Sequence, residues 1–584
     1  MRPVIIQFLD TVWGQASNLL TAPVKWRRWV DLLVLAALAG LVLGLVFAAR
    51  QWAGAQRPVV EISLSPWALP KYLFLSLVRA GVAFALSLGF TLVVAYWAAK
   101  DPFAERILVP ILDILQSIPL LSFMPLVLLA MLTLFPRSNM GLELSAVLLI
   151  VTCQAWNMAF SFYQSLKTLP PELKAIAAVN GFSWWQKLRW IELPYATPGL
   201  VWNSMVSVAN SWFFLVSAEA FASPTVNFQL PGMGSYMNVA TNTGNAKAQV
   251  LAILTMLGVV ILLDQVIWKP LVAWSQRFQM DESAEVEAPD SWLLRLLRRS
   301  RLWRWLEARR AQRHGKPRPR NFYVRRAEAQ FQHPGRKGRW IATGALVGIL
   351  LALAFGALSL VRLLANVQGH QWVHLLKSGA ASTGRVLLST GLATLWTVPV
   401  GLWIGLHPVW ARRLRSVVQV AASFPWSMLF LAIILALRKV GVGLGVSCVL
   451  LMMVATQWYL LFNIIAGAQA VPQELDEAMR SYGLTVWQRC KALYFPAVFP
   501  FLVTGWVTAT GGAWNASIVT EWVEAKPEAL STFGLGAEVV HAAGQDMALL
   551  AAASLLMAAI VVAFNRLVWG PLYKLAETRY TLER

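Results

Sequence analysis

Long apolar runs are the feature that most constrains the fold of this chain. A run of about 20 apolar residues crosses a bilayer as an α-helix, because lipid offers no partner to backbone N–H and C=O groups. We therefore predict an all-α polytopic membrane protein of about twelve transmembrane helices, six in each half. The runs lie at about 31–49, 74–98, 107–134, 142–166, 196–221 and 248–271, and at about 341–363, 381–405, 416–437, 441–466, 497–521 and 547–569.

The composition excludes other classes of protein. Hydrophobic residues make up 58% of the 584 residues and charged residues 13%, whereas about a quarter of a soluble domain is charged. A disordered chain has fewer apolar side chains, a disulfide scaffold needs more than three cysteines, and nucleic-acid binders are rich in charge. The net charge of +22 therefore indicates a membrane protein with its basic residues on one side, and no nucleic-acid partner or metal site is expected.

The distribution of Lys and Arg predicts the orientation. With the N-terminus inside, the inner loops and tails hold 36 of the 50 basic residues and the outer segments hold about 10. Both termini are therefore predicted to be cytoplasmic. Lys25, Arg27 and Arg28 precede the first run, and no small-residue cleavage site follows it, which predicts an uncleaved signal anchor.

The chain repeats itself. Identical residues recur at a fixed offset of 302 over some 60 positions, which shared hydrophobicity alone does not produce. The pattern predicts two six-helix halves that face the same way and are related by a pseudo-twofold axis along the membrane normal. The pairs include Glu172 and Glu474, Gly181 and Gly483, Pro194 and Pro496, Glu219 and Glu521, Gly232 and Gly534, and Gly234 and Gly536; at an offset of 306, Ser76 and Arg79 match Ser382 and Arg385.

These observations predict three parts of the chain. The first six-helix domain comprises residues 1–275, a basic cytoplasmic linker 276–340, and the second domain 341–584. The linker carries 17 Lys and Arg against 7 Asp and Glu. Its segment 290–312 is typical of a basic amphipathic helix on anionic lipid, but a solvated linker explains the same residues and is the interpretation that we favour.

The strongest local signal is the predicted cytoplasmic loop after the fourth span of each half, at about 168–194 and 470–496. Each copy predicts a short helix, a glycine that ends it, a second short helix and a proline that opens the next span. An exposed helix–Gly–helix unit suits docking in a partner's groove. The residues that define it are Glu172, Ala175, Ala177, Gly181, Leu193 and Pro194, and Glu474, Glu477, Ala478, Gly483 and Pro496.

These loops resemble the signature loop of the membrane subunits of ABC importers, which reads Glu-Ala-Ala, three residues, Gly, nine residues and Ile-x-Leu-Pro. The first copy keeps the glycine and the Ile-x-Leu-Pro end but has Ala175-Ile176-Ala177 at its start. The second keeps Glu477, Ala478, the glycine and the final proline. The resemblance covers nearly the whole chain except the linker and implies two tandem type I importer permease domains.

The resemblance also implies partners. In such importers each loop forms a coupling helix that sits in a cleft of a cytoplasmic ATPase subunit, and a periplasmic or lipid-anchored solute-binding protein delivers the solute. This chain contains no phosphate-binding loop, since its Gly315-Lys316 pair is followed by Pro317. We therefore expect a non-enzymatic subunit of the bacterial inner membrane, with no cofactor of its own and with ATP and Mg²⁺ on two ATPase subunits.

A finer resemblance predicts the solute class. The segments 117–119, 423–425, 212–214 and 230–234 resemble those of nitrate, sulfonate and taurine permeases, which implies a small anion. A fused ferric-ion permease is an alternative that predicts carboxylates and hydroxyls along the path. An ion-coupled secondary transporter is a second alternative, with Asp113 as its candidate acid, but the paired loops have no role in it.

Ionisable residues inside spans are costly and often functional. A symmetric pair of arginines, Arg79 and Arg385, could attract an oxyanion, but snorkelling or pairing with a neighbouring helix is the interpretation that we favour. Glu219 and Glu521 are candidates for gating, for contact with a binding protein or for pairing with arginine. Polar candidates for the path, each also explained by interhelical hydrogen bonds, are Ser117, Ser423, Asn203, Asn210, Gln154 and Gln457.

Overall fold

The computed structural model describes residues 40, 43–54, 61–220, 229–278, 336–525, 528–543 and 545–580. The predicted signal anchor, most of the first run at 31–49 and the amphipathic segment of the linker lie outside these residues. Residues 43–52, at the end of the first run, are helical.

The first copy of the repeat is helical over most of its described length. π-Helical turns at Thr91–Ala95, Leu188–Glu192 and Asp264–Trp268 join neighbouring helices into longer ones. Its helices are α1 (Leu69–Phe90), α2 (Tyr96–Lys100), α3 (Pro102–Ser117), α4 (Leu120–Leu134), α5 (Met140–Lys167), α6 (Pro171–Val179), α7 (Trp184–Lys187), α8 (Leu193–Glu219), α9 (Met233–Asn242), α10 (Ala246–Leu263) and α11 (Lys269–Ser275).

The second copy repeats this order, and the structure describes a hairpin in it; most of the equivalent positions of the first copy, 221–228, lie outside the described residues. π-Helical turns again occur, at Cys490–Tyr494 and Asn565–Trp569. Its elements are α12 (Arg336–Leu364), α13 (Gly369–Leu406), α14 (Pro408–Ser423), α15 (Ser427–Lys439), α16 (Leu444–Gln469), α17 (Gln473–Ser481), α18 (Val486–Arg489), α19 (Phe495–Thr520), β1 (Trp522–Ala525), β2 (Glu528–Ser531), α20 (Leu535–Ala542), α21 (Met547–Phe564) and α22 (Gly570–Arg579).

The element bounds confirm the duplication. The offset of 302 that relates identical residues also relates α6 to α17, α7 to α18 and the start of α9 to the start of α20. The π-helical turns at 188–192 and 490–494 obey it as well. Sequence repeat and structural repeat therefore have the same register.

Nine helical spans in the described residues are long and apolar enough to cross a membrane, and two bent helix pairs pass the same test as broken spans. Together they match every predicted run except the first. The expectation of an all-α protein needs one correction, because β1 and β2 form a small antiparallel hairpin in which Trp522 pairs with Ser531. Apart from this hairpin and the connecting turns, the described residues are helical.

The third predicted span of each half is wrong as a continuous helix. The chain bends by 100° between α3 and α4 and by 85° between residues 417–423 and α15. Proline disfavours the helical conformation in the residue before it, and Ile118, before Pro119, is extended at φ −80° and ψ 130°. Phe424, before Pro425, is extended at φ −71° and ψ 133°. Each proline therefore ends one helix and opens the next.

The chain divides into two compact units whose boundaries differ from those of the repeat. The first comprises residues 1–49, 158–205 and 261–342, and the second comprises 50–157, 206–260 and 343–584. The second unit contains a hydrophobic core to which both copies contribute. Its buried side chains include Leu121, Met124 and Phe214 of the first copy and Phe430, Met452 and Trp514 of the second.

Candidate functional site

The first helix–Gly–helix loop lies in the first compact unit and ends α6 as the sequence predicts. Gly181 has a positive φ of 60°, a conformation that glycine adopts without steric cost. The N–H of Phe182 donates to the carbonyl of Ala177, and the N–H of Gly181 donates to that of Ala178. These two bonds form a Schellman motif, which turns the chain sharply from α6 into α7.

The second loop, within the second unit, has the same construction. Gly483 has a φ of 74°, Leu484 donates to the carbonyl of Met479, and Gly483 donates to that of Arg480. Capping boxes open the next helix in both copies, built by Ser183 with Gln186 and by Thr485 with Gln488. Both copies therefore form the same turn through local hydrogen bonds.

Different side chains hold the two loops. A small apolar cluster of Leu169, Ala177 and Ile191 supports the first loop. In the second loop Asp476 accepts a hydrogen bond from the hydroxyl of Tyr494, and its carboxylate lies 3.1 Å from Arg489 and 2.7 Å from Arg480. Partial burial would by itself raise the pKa of Asp476, but the bonds from Tyr494 and Arg480 lower it, and the net effect is a lowered pKa.

The loops expose large apolar side chains. The exposed fraction is 87% for Val179, 85% for Tyr482 and 77% for Trp487. Apolar surface of this kind marks contact sites for other proteins. Of the predicted docking residues, Glu172, Ala175, Glu474, Glu477, Ala478 and Gly483 are exposed, Ala177 is buried, and Gly181, Leu193, Pro194 and Pro496 are half-buried.

We predict that Asp476→Asn loosens the second loop while leaving the spans intact. The substitution removes the charge that Arg480 and Arg489 share, at a cost of about 1 kcal/mol for such a partly exposed cluster. Because the pKa of Asp476 is lowered, its contribution is complete above the ordinary aspartate pKa of about 3.9 and is lost as the pH falls through the lowered value.

Hydrogen–deuterium exchange of residues 473–484, corrected for intrinsic rates, measures this effect. Near neutral pH, Asp476→Asn should exchange faster than the parent protein, and the two should converge in acid. Glu474→Gln, an exposed change in the same helix, is the matched control and should leave exchange unchanged. Equal protection in Asp476→Asn and the parent at neutral pH would contradict the role of the cluster.

The two predicted arginines lie in repeated charged clusters within the second unit. Arg79 is fully buried, and its Nε and Nη2 atoms donate to the Glu143 carboxylate at 2.5 and 2.9 Å. Its Nη1 atom donates to Glu219 at 2.7 Å and to the carbonyl of Pro231 at 3.1 Å. The hydroxyl of Ser76 donates to Glu219 at 2.6 Å. The first cluster thus surrounds one guanidinium with two carboxylates.

The second cluster lacks one of these carboxylates. The Nη1 atom of Arg385 donates to Glu521 at 2.7 Å, and Ser382 donates to the same carboxylate at 2.8 Å. Among the described residues, the Nη2 atom of Arg385 donates only to the hydroxyl of Thr532, at 3.2 Å. The offset of 302 aligns Glu143 with Gly445, so this position has no side chain. Arg385 accordingly remains 16% exposed.

The duplicated glycines bring backbone against these carboxylates. A Cβ atom at Gly232 would overlap the Glu219 side chain, and the N–H of Gly234 donates to Glu219 at 2.9 Å. Close approach of this kind requires glycine. The second copy repeats the arrangement with Gly534 and Gly536 around Glu521.

A cavity of about 130 Å³ lies between the two copies inside the second unit. Repeat-related positions line it: at the offset of 302, Ser217 corresponds to Val519 and Ala220 to Trp522. The first copy contributes the smaller and more polar groups and the second copy the bulkier apolar ones. Further polar groups in its wall are Asn238, Thr241 and Ser427, and no charged residue lines it among the described residues.

The remaining predicted path residues make local or interhelical bonds. Ser117 and Ser423 donate to carbonyls of their own helices next to the two helix breaks, and Ser117 also accepts from Asn565. Asn203 donates to the carbonyl of Gly199. Gln154 donates to Ser211, Gln457 accepts from Trp396, and Asn210 is half-buried. None of these residues lines the cavity.

Two hydrogen-bond partners of the arginines were missed in the sequence. The residue 302 positions after Glu143 is Gly445, so a search for identical residues in the two copies does not find Glu143. Thr532 aligns with Leu230 and was passed over for the same reason. A search for polar residues without a counterpart at this offset would have included both, although it would not have shown that they meet an arginine.

Comparison with known proteins reveals several relatives. The taurine transport system permease protein TauC of Escherichia coli is 29% identical over 181 residues, 30% of this chain and 59% of that protein. The osmoprotectant import permease protein OsmW of Salmonella typhimurium is 27% identical over 188 residues, 31% of this chain and 83% of that protein. The bicarbonate transport system permease protein CmpB of Synechococcus elongatus is 24% identical over 273 residues, which are 44% of this chain and 92% of that protein.

The match to the taurine relative thus spans about three fifths of that protein's length. The sequence profile described as "Binding-protein-dependent transport system inner membrane component" matches residues 87–267 and again residues 397–579. These two regions contain both helix–Gly–helix loops and cover more than half of the sequence. The chain therefore belongs to the family of binding-protein-dependent transport system inner membrane components and carries its domain twice.

Proposed function

We propose that this chain is the permease component of an ATP-driven ABC importer that moves a small anion across the bacterial inner membrane. The observation that carries the proposal is the pair of exposed helix–Gly–helix loops, one in each family domain. Each loop combines a rigid Schellman turn with exposed apolar side chains, which suits docking into a groove of a partner.

Two cytoplasmic ATPase subunits are the proposed partners of the loops. The second loop leads through α18 and a π-helical turn into α19, which runs from Phe495 to Thr520 and is followed at once by Glu521. A helix of 26 residues is about 39 Å long, enough to cross the bilayer. Movement of the loop by an ATPase would thus be transmitted along one helix to the charged cluster at its far end.

The proposed solute is a small anion delivered by a solute-binding protein. Taurine carries a sulfonate and bicarbonate is itself an oxyanion, so two of the reported relatives are named for solutes with acidic oxygen groups. The hydroxyls and the amide of the cavity wall can donate hydrogen bonds without holding an anion too tightly for release. Ser217 and Thr241 donate to carbonyls of their own helices here, and rotation of these hydroxyls frees them.

Two alternatives receive less support. A ferric-ion permease predicts carboxylates and hydroxyls along the path; the described wall of the cavity has hydroxyls but no carboxylate. An ion-coupled secondary transporter would use Asp113, whose side chain is exposed and accepts a hydrogen bond from Gln116 of the same helix. The secondary transporter also leaves the paired helix–Gly–helix loops without a role.

Reconstitution tests the proposal. The chain would be placed in proteoliposomes with the ATPase and the solute-binding protein encoded beside it, and uptake of sulfonates, bicarbonate, nitrate and a quaternary ammonium osmoprotectant would be measured. We expect ATP-dependent uptake of at least one of the first three. An ATPase variant that cannot hydrolyse ATP is the control. Uptake that is independent of ATP, or uptake of the osmoprotectant alone, would refute it.

A further inference from the structure

The two charged clusters differ in a way that identifies an anion-binding site. In the first, the edge of Arg79 formed by Nε and Nη2 holds both carboxylate oxygens of Glu143. This is the parallel, two-bond geometry that makes arginine the preferred partner of carboxylates and other oxyanions. In the first copy, the Glu143 carboxylate therefore occupies the position on this guanidinium edge that an oxyanion would take.

The same edge is open in the second copy. Within the described residues the Nε atom of Arg385 has no hydrogen-bond partner, and Nη2 has only the hydroxyl of Thr532. Gly445 occupies the position of Glu143, and a Cβ atom built there would meet only Thr532 and Arg385, at 3.8 and 3.9 Å. Both distances are ordinary van der Waals contacts, so a side chain can begin at Gly445 without displacing these neighbours.

Charge and backbone favour the same ligand. The first cluster carries one positive and two negative groups, and the second carries one of each, so a monovalent anion would give both the same charge. Gly445 is the second residue of α16, and no side chain caps the N-terminus of that helix. A helix of 26 residues presents free N–H groups and a positive dipole there.

We propose that the Nε and Nη2 edge of Arg385, beside Gly445 and Thr532, binds a monovalent oxyanion through two parallel hydrogen bonds, whereas Glu143 permanently fills the equivalent site of the first copy. The proposal rests on the proposed import of an anion, for which it assigns one asymmetric subsite. Carboxylate, bicarbonate, nitrate and sulfonate groups share the required pair of oxygens. Chloride cannot make two parallel bonds.

Gly445→Glu is the decisive variant because it supplies the carboxylate of the first copy. Binding of formate, methanesulfonate and chloride to the purified full chain, without ATPase, would be followed by calorimetry and thermal unfolding. We expect the parent protein to bind the two oxyanions in preference to chloride. Gly445→Glu should unfold at a higher temperature without anions and bind the oxyanions at least about tenfold more weakly. Gly445→Ala, which leaves the edge open, is the matched control and should bind like the parent.

A second variant tests the site if Gly445→Glu does not fold. Arg385→Lys keeps the charge beside Glu521 but removes the planar fork, and it should lose the preference for oxyanions over chloride. Unchanged oxyanion binding in Gly445→Glu, or an unchanged preference in Arg385→Lys, would overturn the subsite.

These binding measurements are independent of uptake. If an anion is imported but Gly445→Glu still binds formate normally, the subsite is refuted and the proposed function stands. If Gly445→Glu abolishes binding but no anion is imported, the subsite stands and the proposed function is refuted.

Discussion

Replacement of Arg79 by methionine will destabilise the protein by about 3–5 kcal/mol, the cost of breaking a buried ion pair by removing one partner. The substitution leaves Glu143 and Glu219, which are 1% and 0% exposed, without their shared counter-charge. These buried carboxylates cannot be hydrated in place of the lost ion pair. The loss of stability is therefore far larger than for a surface salt bridge. Unfolding in mixed micelles by titration with a denaturing detergent measures the loss.

The second copy supplies a matched control. Arg385→Met leaves a single carboxylate at a cluster that is partly exposed, so it should cost clearly less than Arg79→Met. The double variant Arg79→Met with Glu143→Leu should recover part of the loss, because it removes one of the two uncompensated charges. Glu219 then keeps its bonds from Ser76 and from the N–H of Gly234. Equal losses in Arg79→Met and Arg385→Met would show that the asymmetry of the clusters has no energetic consequence.

Replacement of both loop glycines by glutamate will abolish ATP-driven uptake while the spans still insert and fold. Gly181 and Gly483 have φ values of 60° and 74°, and other L-residues pay roughly 1–2 kcal/mol in this region. That cost falls on the Schellman turn and not on the core, since a Cβ atom at Gly483 meets no neighbour within 4 Å. The turn opens, and the exposed apolar groups around it lose their arrangement.

The matched control is asparagine at the same two positions. Asparagine tolerates the left-handed conformation better than other residues with a side chain, so the double asparagine variant should keep most uptake. Uptake in proteoliposomes, together with co-purification of the ATPase subunits, separates loss of docking from loss of folding. Normal uptake in the double glutamate variant would refute the docking role of the loops.

Much of the fold follows from local sequence signals. Apolar runs predict the spans because a membrane-spanning backbone must satisfy its own hydrogen bonds, and eleven of the twelve runs match a helix or bent helix pair in the described residues. The loop turn was equally accessible, since a glycine after a short helix and a proline before the next are local signals. The two breaks at Pro119 and Pro425 were not predicted, although proline and its preceding residue carry the reason.

The charged clusters show where sequence reasoning ends. A repeat search pairs Arg79 with Arg385 and Glu219 with Glu521, and it suggests that the two arginines are equivalent. Their partners come from other helices, 64 residues away for Glu143 and 140 for Glu219. Only the packing of α1 against α5 and the end of α8 reveals that one guanidinium is enclosed and the other open.

The sequence by itself determined the spans, the duplication and the two helix–Gly–helix loops, because each depends on the chemistry of neighbouring residues along the chain. The tertiary structure alone decided which polar side chains meet. A charge inside a membrane protein is defined by its partners, and those partners lie on other helices. The two copies differ at this position, with Glu143 in the first and Gly445 in the second. Only the fold shows that each of these residues lies beside an arginine.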